Sequence, residues 1–228
     1  MILVNKNLAD SNLYEDVFGY KERKSTTNFF VLVLAVVLMV LGFRLYWVSN
    51  FGGVTVSGSS MYTTLYSGER LLMKKTDGSD AKRGDVIVVY VGDYEEFDDD
   101  VPEEYKTRYL IKRLIAVEGD KVRCEDGQIE IMYAGESAWT KLDEPYAYYM
   151  NKYAYDFSEY VVGAGEVFFL GDNRNNSQDS RYEQPSGSRL DRLYKRSDIV
   201  GIVPQWAIDY QKILDKIFFG ARRANLKA

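Results

Sequence analysis

The chain has 228 residues, a formal net charge of −5, no histidine and a single cysteine. These counts exclude a histidine-based catalytic triad, a zinc site built on histidine or on four cysteines, and an intramolecular disulfide. Nucleophilic catalysis must then use a hydroxyl, a carboxylate or the thiol of Cys124, with lysine, tyrosine or a carboxylate as the base. The acidic balance argues against a general nucleic-acid binder, and no cofactor is implied.

The first predicted element is an apolar helix near the N-terminus. Residues 29–48, FFVLVLAVVLMVLGFRLYWV, contain one charge, that of Arg44. A helix of this length spans about 30 Å at ~1.5 Å per residue, the thickness of a hydrocarbon core. We therefore predict a transmembrane anchor, with a buried core helix and a cleaved signal peptide as the alternatives. Aromatic residues typical of a membrane interface follow the charge-free run, where a cleavage site would need small residues: Tyr46, Trp47 and Phe51.

The distribution of basic residues predicts how the anchor is oriented. Three basic residues, at positions 21, 23 and 24, lie just before the helix, and none follows Arg44 until Arg70. By the positive-inside rule, residues 1–28 are a cytoplasmic segment and residues 49–228 form an extracytoplasmic domain. About 180 residues are enough for a single hydrophobic core.

The region after the anchor is dominated by predicted strands. Short apolar segments separated by turns predict strands at residues 53–56, 70–74, 86–90, 109–117, 121–123, 128–132, 167–170 and 199–203. Short strands at this spacing predict a mainly β, barrel-like sheet domain and not an alternating βαβ sheet.

Three stretches fall outside this strand pattern. Residues 93–104 hold eight acidic residues in twelve positions, which predicts a solvated loop. The tyrosine-rich residues 145–160 are interpreted as a packing surface or an excursion, with no assigned role. Residues 208–223 predict an amphipathic helix that packs on the domain, with a membrane-surface role as the alternative. Its apolar residues at helical spacing are Tyr210, Ile213, Leu214, Ile217 and Phe218.

Three segments join an apolar strand to a turn or a polar cluster, at residues 56–65, 109–122 and 168–182. In the first, Gly58 and the small residues around Ser60 let backbone amides approach a substrate, as an oxyanion hole requires. In the second, Lys112 lies among leucines and isoleucines directly before Arg113. Neighbouring strand residues point to opposite faces, so one of these two cations must leave water if the sheet packs on one side.

A lysine in apolar surroundings can act as a general base. Burial lowers the pKa of such a lysine by up to roughly 3 to 5 units, which favours the neutral amine. In a chain without histidine, a Ser/Lys pair is the main remaining way to activate a hydroxyl. The alternative is that Lys112 is an ordinary surface lysine on a strand.

Four ordered segments behind the anchor carry a family resemblance. They are Gly58-Ser59-Ser60-Met61 with Thr64-Leu65, then Arg83-Gly84-Asp85-Val86, then Lys112-Arg113 with Gly119-Asp120, then Gly171-Asp172-Asn173-Arg174 with Ser177, Asp179, Ser180 and Arg181. In this order they resemble bacterial type I signal peptidases, membrane-anchored Ser/Lys proteases that remove signal peptides.

The resemblance implies a catalytic pair. Ser60, directly before Met61, corresponds to the nucleophile, and Lys112 corresponds to the general base. Ser177 corresponds to a serine that orients the lysine by a hydrogen bond. The backbone N–H of Ser60 would serve the oxyanion hole. One branch of the family has a serine hydroxyl where this chain has Gly58, so a second donor would come from backbone or solvent.

The resemblance also implies supporting residues and a substrate class. Asp179 and Arg181 correspond to a salt bridge beside the site, and residues 172–174 are implied to be structural. The expected substrates are preprotein signal peptides cut after small-x-small sites, because small side chains fit where larger ones clash. The lipid membrane is the other expected partner, nucleic acid is not expected, and we expect a monomer.

Two departures from the family pattern leave rival hypotheses open. Thr63 stands where the family usually has proline, and Asn175 stands where it usually has aspartate. One rival is a weak or inactive membrane-anchored scaffold, and another is a peptidase dedicated to a few substrates such as pilins. An autoprotease of the SOS-repressor kind shares the Ser/Lys chemistry, but the apolar run and the lack of a helix-turn-helix argue against it.

Overall fold

The computed structural model describes residues 9–93, 107–151, 156–181 and 194–219. Most of the predicted acidic loop at residues 93–104, part of the tyrosine-rich stretch, and the last residues of the predicted C-terminal helix lie outside these ranges. The chain divides into two compact units, Met1–Ser49 and Asn50–Ala228.

The first unit is helical. Helix α1 covers Ala9–Asn50. Within it, Thr26–Asn50 form a 25-residue stretch that is long and apolar enough to cross a membrane, and none of its most apolar window is buried inside the protein. The predicted anchor at residues 29–48 lies inside this stretch. A buried core helix is excluded, because the apolar side chains along it are exposed.

The described part of the second unit contains eleven strands. In chain order they are β1 Phe51–Thr55, β2 Arg70–Lys75, β3 Val86–Asp93, β4 Thr107–Val117, β5 Lys121–Glu125, β6 Gln128–Met132, β7 Thr140–Lys141, β8 Phe157–Val161, β9 Glu166–Leu170, β10 Tyr194–Lys195 and β11 Ile199–Val203. Each of the eight predicted strands overlaps one of them. The strands that the sequence did not predict are β7, β8 and β10.

The strands form two antiparallel sheets. The larger sheet has the order β1-β2-β11-β3-β4-β9-β10, and the smaller has the order β7-β6-β5-β8. The prediction of a mainly β domain behind one apolar helix is confirmed. The larger sheet runs from β1 at one edge to β10 at the other, and no pairing among the described strands closes it into the expected barrel.

The centre of the larger sheet lies between two hydrophobic cores. Strand β9 reads as a continuous apolar run because alternate residues enter different cores. Val167 and Phe169 join one cluster with Leu114, while Phe168 and Leu170 join the other with Ile115. A strand buried on both faces needs apolar residues at successive positions. Its neighbour β4 therefore offers buried positions on both faces, and this is where the lysine-arginine pair lies.

The C-terminal region differs from the predicted helix at residues 208–223. It consists of α2 Gln205–Asp209, α3 Gln211–Leu214 and a π-helical turn at Asp215–Phe219. The segment packs on β2, but not through the predicted apolar face. Four of the five apolar residues named above are exposed: Tyr210, Ile213, Ile217 and Phe218. These four residues therefore do not form the surface by which the segment packs on the domain.

Candidate active site

The loop after β1 presents Ser60 at the surface of the larger sheet. Gly58 has φ +82°, in the left-handed region that favours glycine. The chain then makes a helical turn in which the Leu65 N–H donates to the Met61 carbonyl at 2.8 Å. Met61 and Leu65 are each 1% exposed, so their side chains anchor the turn in the core. Ser60 is thereby held half-buried at the start of this turn.

Lys112 on β4 meets this serine. The lysine is 2% exposed, and its Nζ lies 2.6 Å from Ser60 Oγ. The Nζ also donates to the Ile111 carbonyl at 3.1 Å. Burial disfavours the charged ammonium relative to the neutral amine. A neutral Nζ at this distance is placed to accept the hydroxyl proton of Ser60.

Arg113, the neighbour of Lys112, is also buried. It is 6% exposed, so both cations leave water, because the sheet packs on both faces and not on one. Arg113 donates two hydrogen bonds to Asp172, at 2.9 and 2.7 Å, and a third to the Gly84 carbonyl at 2.7 Å. Its guanidinium also lies 3.8 Å from the centre of the Tyr146 ring. A bidentate carboxylate and an aromatic face compensate the charge of Arg113 on one side of the sheet. Lys112 lies on the other side, against Ser60.

The segment after β9 fixes the serine loop. The Asn173 N–H donates to the Ser60 carbonyl at 3.0 Å, and the Asn173 side chain donates to the Ser59 carbonyl at 3.0 Å. The Thr64 hydroxyl donates to Asp172 at 2.5 Å. Three contacts from one segment therefore hold both ends of the turn that contains Ser60, which we call the catalytic turn after its expected role.

The arginine-glycine-aspartate segment before β3 supports β4. The Gly84 N–H donates to the Leu114 carbonyl at 2.7 Å, and the Leu114 N–H donates to the Asp85 carbonyl at 2.9 Å. Arg83 makes two hydrogen bonds of 2.7 Å to the buried Asp120, and this carboxylate raises the pKa of the Arg83 guanidinium. These contacts are made by Leu114 within β4 and by Asp120 shortly after it, and they fix the part of the strand that follows Lys112.

A cavity of about 520 Å³ opens in front of Ser60 and Lys112. It is lined mainly by hydroxyl, amide and backbone groups: Ser57, Gly58, Ser59, Ser60, Leu110, Lys112, Asn175, Asn176, Ser177, Gln178 and Arg181. The sequence did not single out Asn176, whose side chain donates to Ser59 Oγ at 2.9 Å. The one sequence feature that could have indicated that Asn176 lines the cavity is its place in a polar cluster next to Ser177.

Comparison with known proteins decides the family. A model of the family "Signal peptidase, peptidase S26" matches residues 26–206, which contain the serine, the lysine and the segments around them. The chain belongs to this family. It is accordingly a serine endopeptidase of the signal peptidase I type.

Two relatives from Bacillus agree with this assignment. Signal peptidase I T of Bacillus subtilis is 34% identical over 169 residues, covering 70% of this chain and 78% of the relative. Signal peptidase I of Bacillus licheniformis is 33% identical over 173 residues, covering 70% of this chain and 83% of the relative. A solved signal peptidase I from Enterococcus faecalis is 22% identical with a TM-score of 0.36, covering 55% of this chain and 98% of that one.

Ser177 lies in the peptidase cavity, but not in the contact expected for it. Its hydroxyl is buried and makes no hydrogen bond within the described residues, whereas a bond to Lys112 was expected. Lys112 instead uses the Ser60 hydroxyl and the Ile111 carbonyl. Ser177 packs against Gly171, where a Cβ atom would overlap it.

Asp179 and Arg181 form the expected pair beside the peptidase site. Arg181 Nε lies 3.0 Å from Asp179 Oδ1, and the arginine also donates to the Arg174 carbonyl. The other oxygen of Asp179 accepts the Gly171 N–H at 3.1 Å. This pair therefore holds the loop between Gly171 and Arg181 closed.

The tyrosine-rich stretch, to which the sequence assigned no role, packs against the loop between Gly171 and Arg181. Arg174 is fully buried and donates to Glu144 at 2.8 and 2.7 Å and to the Tyr149 hydroxyl at 2.9 Å. Tyr148 pairs with Asn173 as a parallel bridge. The interpretation of this stretch as a packing surface fits these contacts.

Asn175, which stands where the family usually has aspartate, makes three hydrogen bonds with the tyrosine-rich stretch. Its Oδ1 accepts the N–H groups of Met150 and Asn151 at 2.8 and 3.0 Å, and its Nδ2 donates to the Asn151 carbonyl at 2.9 Å. An aspartate could accept the first two hydrogen bonds but could not donate the third. An amide is therefore the better partner for the tyrosine-rich segment in this chain. Thr63, the other departure, is an exposed residue of the catalytic turn.

Proposed function

We propose that Ser60 is the nucleophile and Lys112 the general base of this signal peptidase. The observation that carries the proposal is the 2.6 Å separation of Ser60 Oγ and Lys112 Nζ at a buried position that opens into a cavity. A scaffold that had lost activity would have no need to keep a costly buried lysine against a serine hydroxyl. The pairing therefore supports the enzyme over the scaffold.

The reaction is an acyl transfer in two steps. Neutral Lys112 accepts the proton of the Ser60 hydroxyl as Oγ attacks the scissile carbonyl, and the resulting ammonium protonates the leaving amine. The acyl-enzyme ester is then hydrolysed by a water that Lys112 deprotonates. Ser177, Asp179 and Arg181 act as supporting residues that keep the cavity wall in place.

Stabilisation of the oxyanion falls to backbone groups near Ser60. The N–H of Ser60 is the first donor. Gly58 has no hydroxyl to serve as a second donor to the oxyanion. A backbone N–H near Gly58 and a bound water take over that hydrogen bond. Removing one oxyanion donor typically costs about 10² to 10³ in rate, which sets the size of this contribution.

The substrate is a preprotein whose signal peptide ends in small side chains. The family resemblance implies short side chains before the cleaved bond, because small side chains fit where larger ones clash. We further propose that the helix at residues 29–48 anchors the enzyme in the cell membrane, with residues 1–28 cytoplasmic and residues 49–228 outside. Confinement to the membrane surface raises the effective concentration of signal-peptide ends.

Cleavage of a purified preprotein by the detergent-solubilised chain tests the assignment. We expect one cut after a small-x-small site, identified from the new N-terminus by mass spectrometry. Ser60→Ala and Lys112→Ala should each lower the rate by at least about 10⁴-fold, because a catalytic dyad acts as a unit.

Matched substitutions keep this test specific. Ser158→Ala and Lys141→Ala change an exposed serine and an exposed lysine of the same domain, and both variants should cleave at the unchanged rate. A Lys112→Ala variant with near-normal cleavage would refute the base. Absence of cleavage by the folded wild-type chain across several preproteins would favour a scaffold or a dedicated peptidase.

A further inference from the structure

The middle of the catalytic turn projects from the domain. Met61 and Leu65 are each 1% exposed, whereas Tyr62 and Thr63 between them are exposed. The Tyr62 N–H donates to the Ser59 carbonyl at 3.1 Å, which is a contact within the turn itself. Such a hydrogen bond sets the shape of a turn but does not fix it to the rest of the domain. The long-range contact of this part of the turn is made by the Tyr62 side chain.

The Tyr62 ring meets two other rings edge to face. Its centre lies 5.4 Å from that of Tyr66 and 5.1 Å from that of Tyr148, with interplanar angles of 88° and 87°. Perpendicular rings at this separation have a favoured geometry for an aromatic pair. Tyr66 belongs to the same loop, so its ring moves with the turn. Tyr148 belongs to the tyrosine-rich stretch, so its ring connects the turn to a different segment.

The backbone of Tyr148 is fixed by the segment after β9. Its N–H donates to the Asp172 carbonyl at 2.8 Å, and its carbonyl accepts the Arg174 N–H at 2.9 Å. Asn175 accepts the N–H groups two and three residues further along the stretch. A tyrosine ring has only two side-chain torsions, so a fixed backbone leaves it little freedom.

The same segment also holds the start of the catalytic turn. Asn173 donates from its backbone to the Ser60 carbonyl and from its side chain to the Ser59 carbonyl. One unit therefore contacts the turn twice: by hydrogen bonds at its start, and through the Tyr148 ring at its middle. Ser60 is only two residues from Tyr62, and a misplacement of a reacting group by ~1 Å can cost about 10²-fold in rate.

We propose that Tyr148 is a positioning residue of the peptidase, whose ring packs against Tyr62 and keeps the catalytic turn where Ser60 Oγ meets Lys112. The proposal rests on the proposed roles of Ser60 and Lys112. Within the described part of the chain, Tyr148 is not among the residues that line the cavity in front of this pair. It therefore acts through the turn and not on the substrate.

Steady-state cleavage of a preprotein by the detergent-solubilised full chain tests this role. Tyr148→Leu keeps an apolar side chain but removes the ring. We expect kcat to fall roughly 3- to 10-fold, the factor that one aromatic pair contributes, with an unchanged KM. Tyr148→Phe keeps the ring and should cleave at the wild-type rate.

Two further variants make the test specific to this pair of rings. Tyr90→Leu is the matched control, because Tyr90 is a half-buried tyrosine of β3 whose ring pairs with that of Tyr109 at 5.7 Å. It should leave kcat unchanged. Tyr62→Leu should also lower kcat, and adding Tyr148→Leu to it should cause no further loss, because the pair is already broken. Independent losses that multiply in the double variant would overturn the pairing.

Hydrogen–deuterium exchange measures the turn without any substrate. The amides of residues 61–66 should exchange faster in Tyr148→Leu than in the wild type, because less tertiary contact holds them. Tyr148→Phe and Tyr90→Leu should exchange at the wild-type rate there. A wild-type chain that shows this pattern but cleaves no preprotein would overturn the proposed function, and the catalytic role of Tyr148 with it.

Other results would overturn the positioning role while the proposed function stands. These are a normal kcat or unchanged exchange in Tyr148→Leu, and a kcat loss that Tyr148→Phe shares, which would assign the effect to the hydroxyl. A raised KM at unchanged kcat would show that Tyr148 binds substrate instead. If circular dichroism shows that Tyr148→Leu does not fold, Tyr62→Leu carries the same test from the other ring.

Discussion

At the scale of single residues, the candidate site depends on which side chains can approach closely. Lys112 reaches Ser60 because Gly58 turns the chain and the buried Met61 fixes the turn that follows. Gly171 lets the loop after β9 lie directly against the Ser60 carbonyl. The sequence indicated the serine and the lysine, but the need for close approach at Gly171 is a tertiary effect.

Substitution of Gly171 tests this close approach. A Cβ atom there would lie 2.5 Å from the Ser60 carbonyl oxygen and would overlap the Ser177 side chain. The catalytic turn must then shift, so Gly171→Ala should lower kcat/KM by at least about 10²-fold, the cost of a misplacement near 1 Å.

Gly163→Ala is the matched control for steady-state cleavage of a preprotein. Its new Cβ would meet only the flexible carboxylate of Glu166, which can move aside. It should therefore retain most of the activity. Near-normal cleavage by Gly171→Ala would contradict the close packing of the two loops.

At the scale of secondary-structure elements, strand β4 separates two cations. Lys112 faces the cavity and Arg113 faces Asp172 and Tyr146 on the other side. The alternation of a strand predicted this separation. It did not predict that both faces are covered, because the covering groups come from the tyrosine-rich segment and from the loop after β9, far away in the sequence.

The pair between Arg113 and Asp172 is expected to dominate the stability of this region. Both side chains are nearly inaccessible, at 8% and 0%. Asp172→Asn leaves a buried guanidinium without its countercharge. It should lower the free energy of unfolding by roughly 3 kcal/mol, the low end of what breaking a buried pair costs, since asparagine keeps one acceptor.

Urea unfolding of the detergent-solubilised chain, followed by tryptophan fluorescence, measures this effect. Asp80→Asn is the control, because Asp80 pairs with Lys74 where both side chains are well exposed. That pair should contribute less than about 1 kcal/mol. Equal effects of the two substitutions would show that Arg113 does not need its carboxylate.

At the scale of the whole molecule, the chain consists of an apolar helix followed by a mainly β unit. The helix at Thr26–Asn50 is long enough to cross a membrane, and the family match begins at residue 26 and continues into the β domain. The proposed anchor and the proposed catalytic residues therefore both fall within the part of the chain that matches the family.

Tags at the two ends of the chain test the proposed orientation. In intact cells stripped of their wall, an external protease should remove a C-terminal tag and leave an N-terminal tag intact, because the basic residues before the helix keep that end inside. Lysed cells, in which both tags are digested, provide the control. Protection of the C-terminal tag in intact cells would refute the orientation.

The sequence by itself determined the apolar helix, the eight main strands and the serine and lysine. Each of these is encoded locally: by an uninterrupted apolar run, by short apolar segments between turns, and by four ordered segments that resemble those of a known family. The tertiary structure alone decided the rest. Arg113 is a second buried cation, the Ser177 hydroxyl does not bond to Lys112 as expected, and the apolar residues of the C-terminal segment are exposed. These depend on which distant segment covers a surface, and hydrophobic periodicity identifies an apolar face without identifying what packs against it.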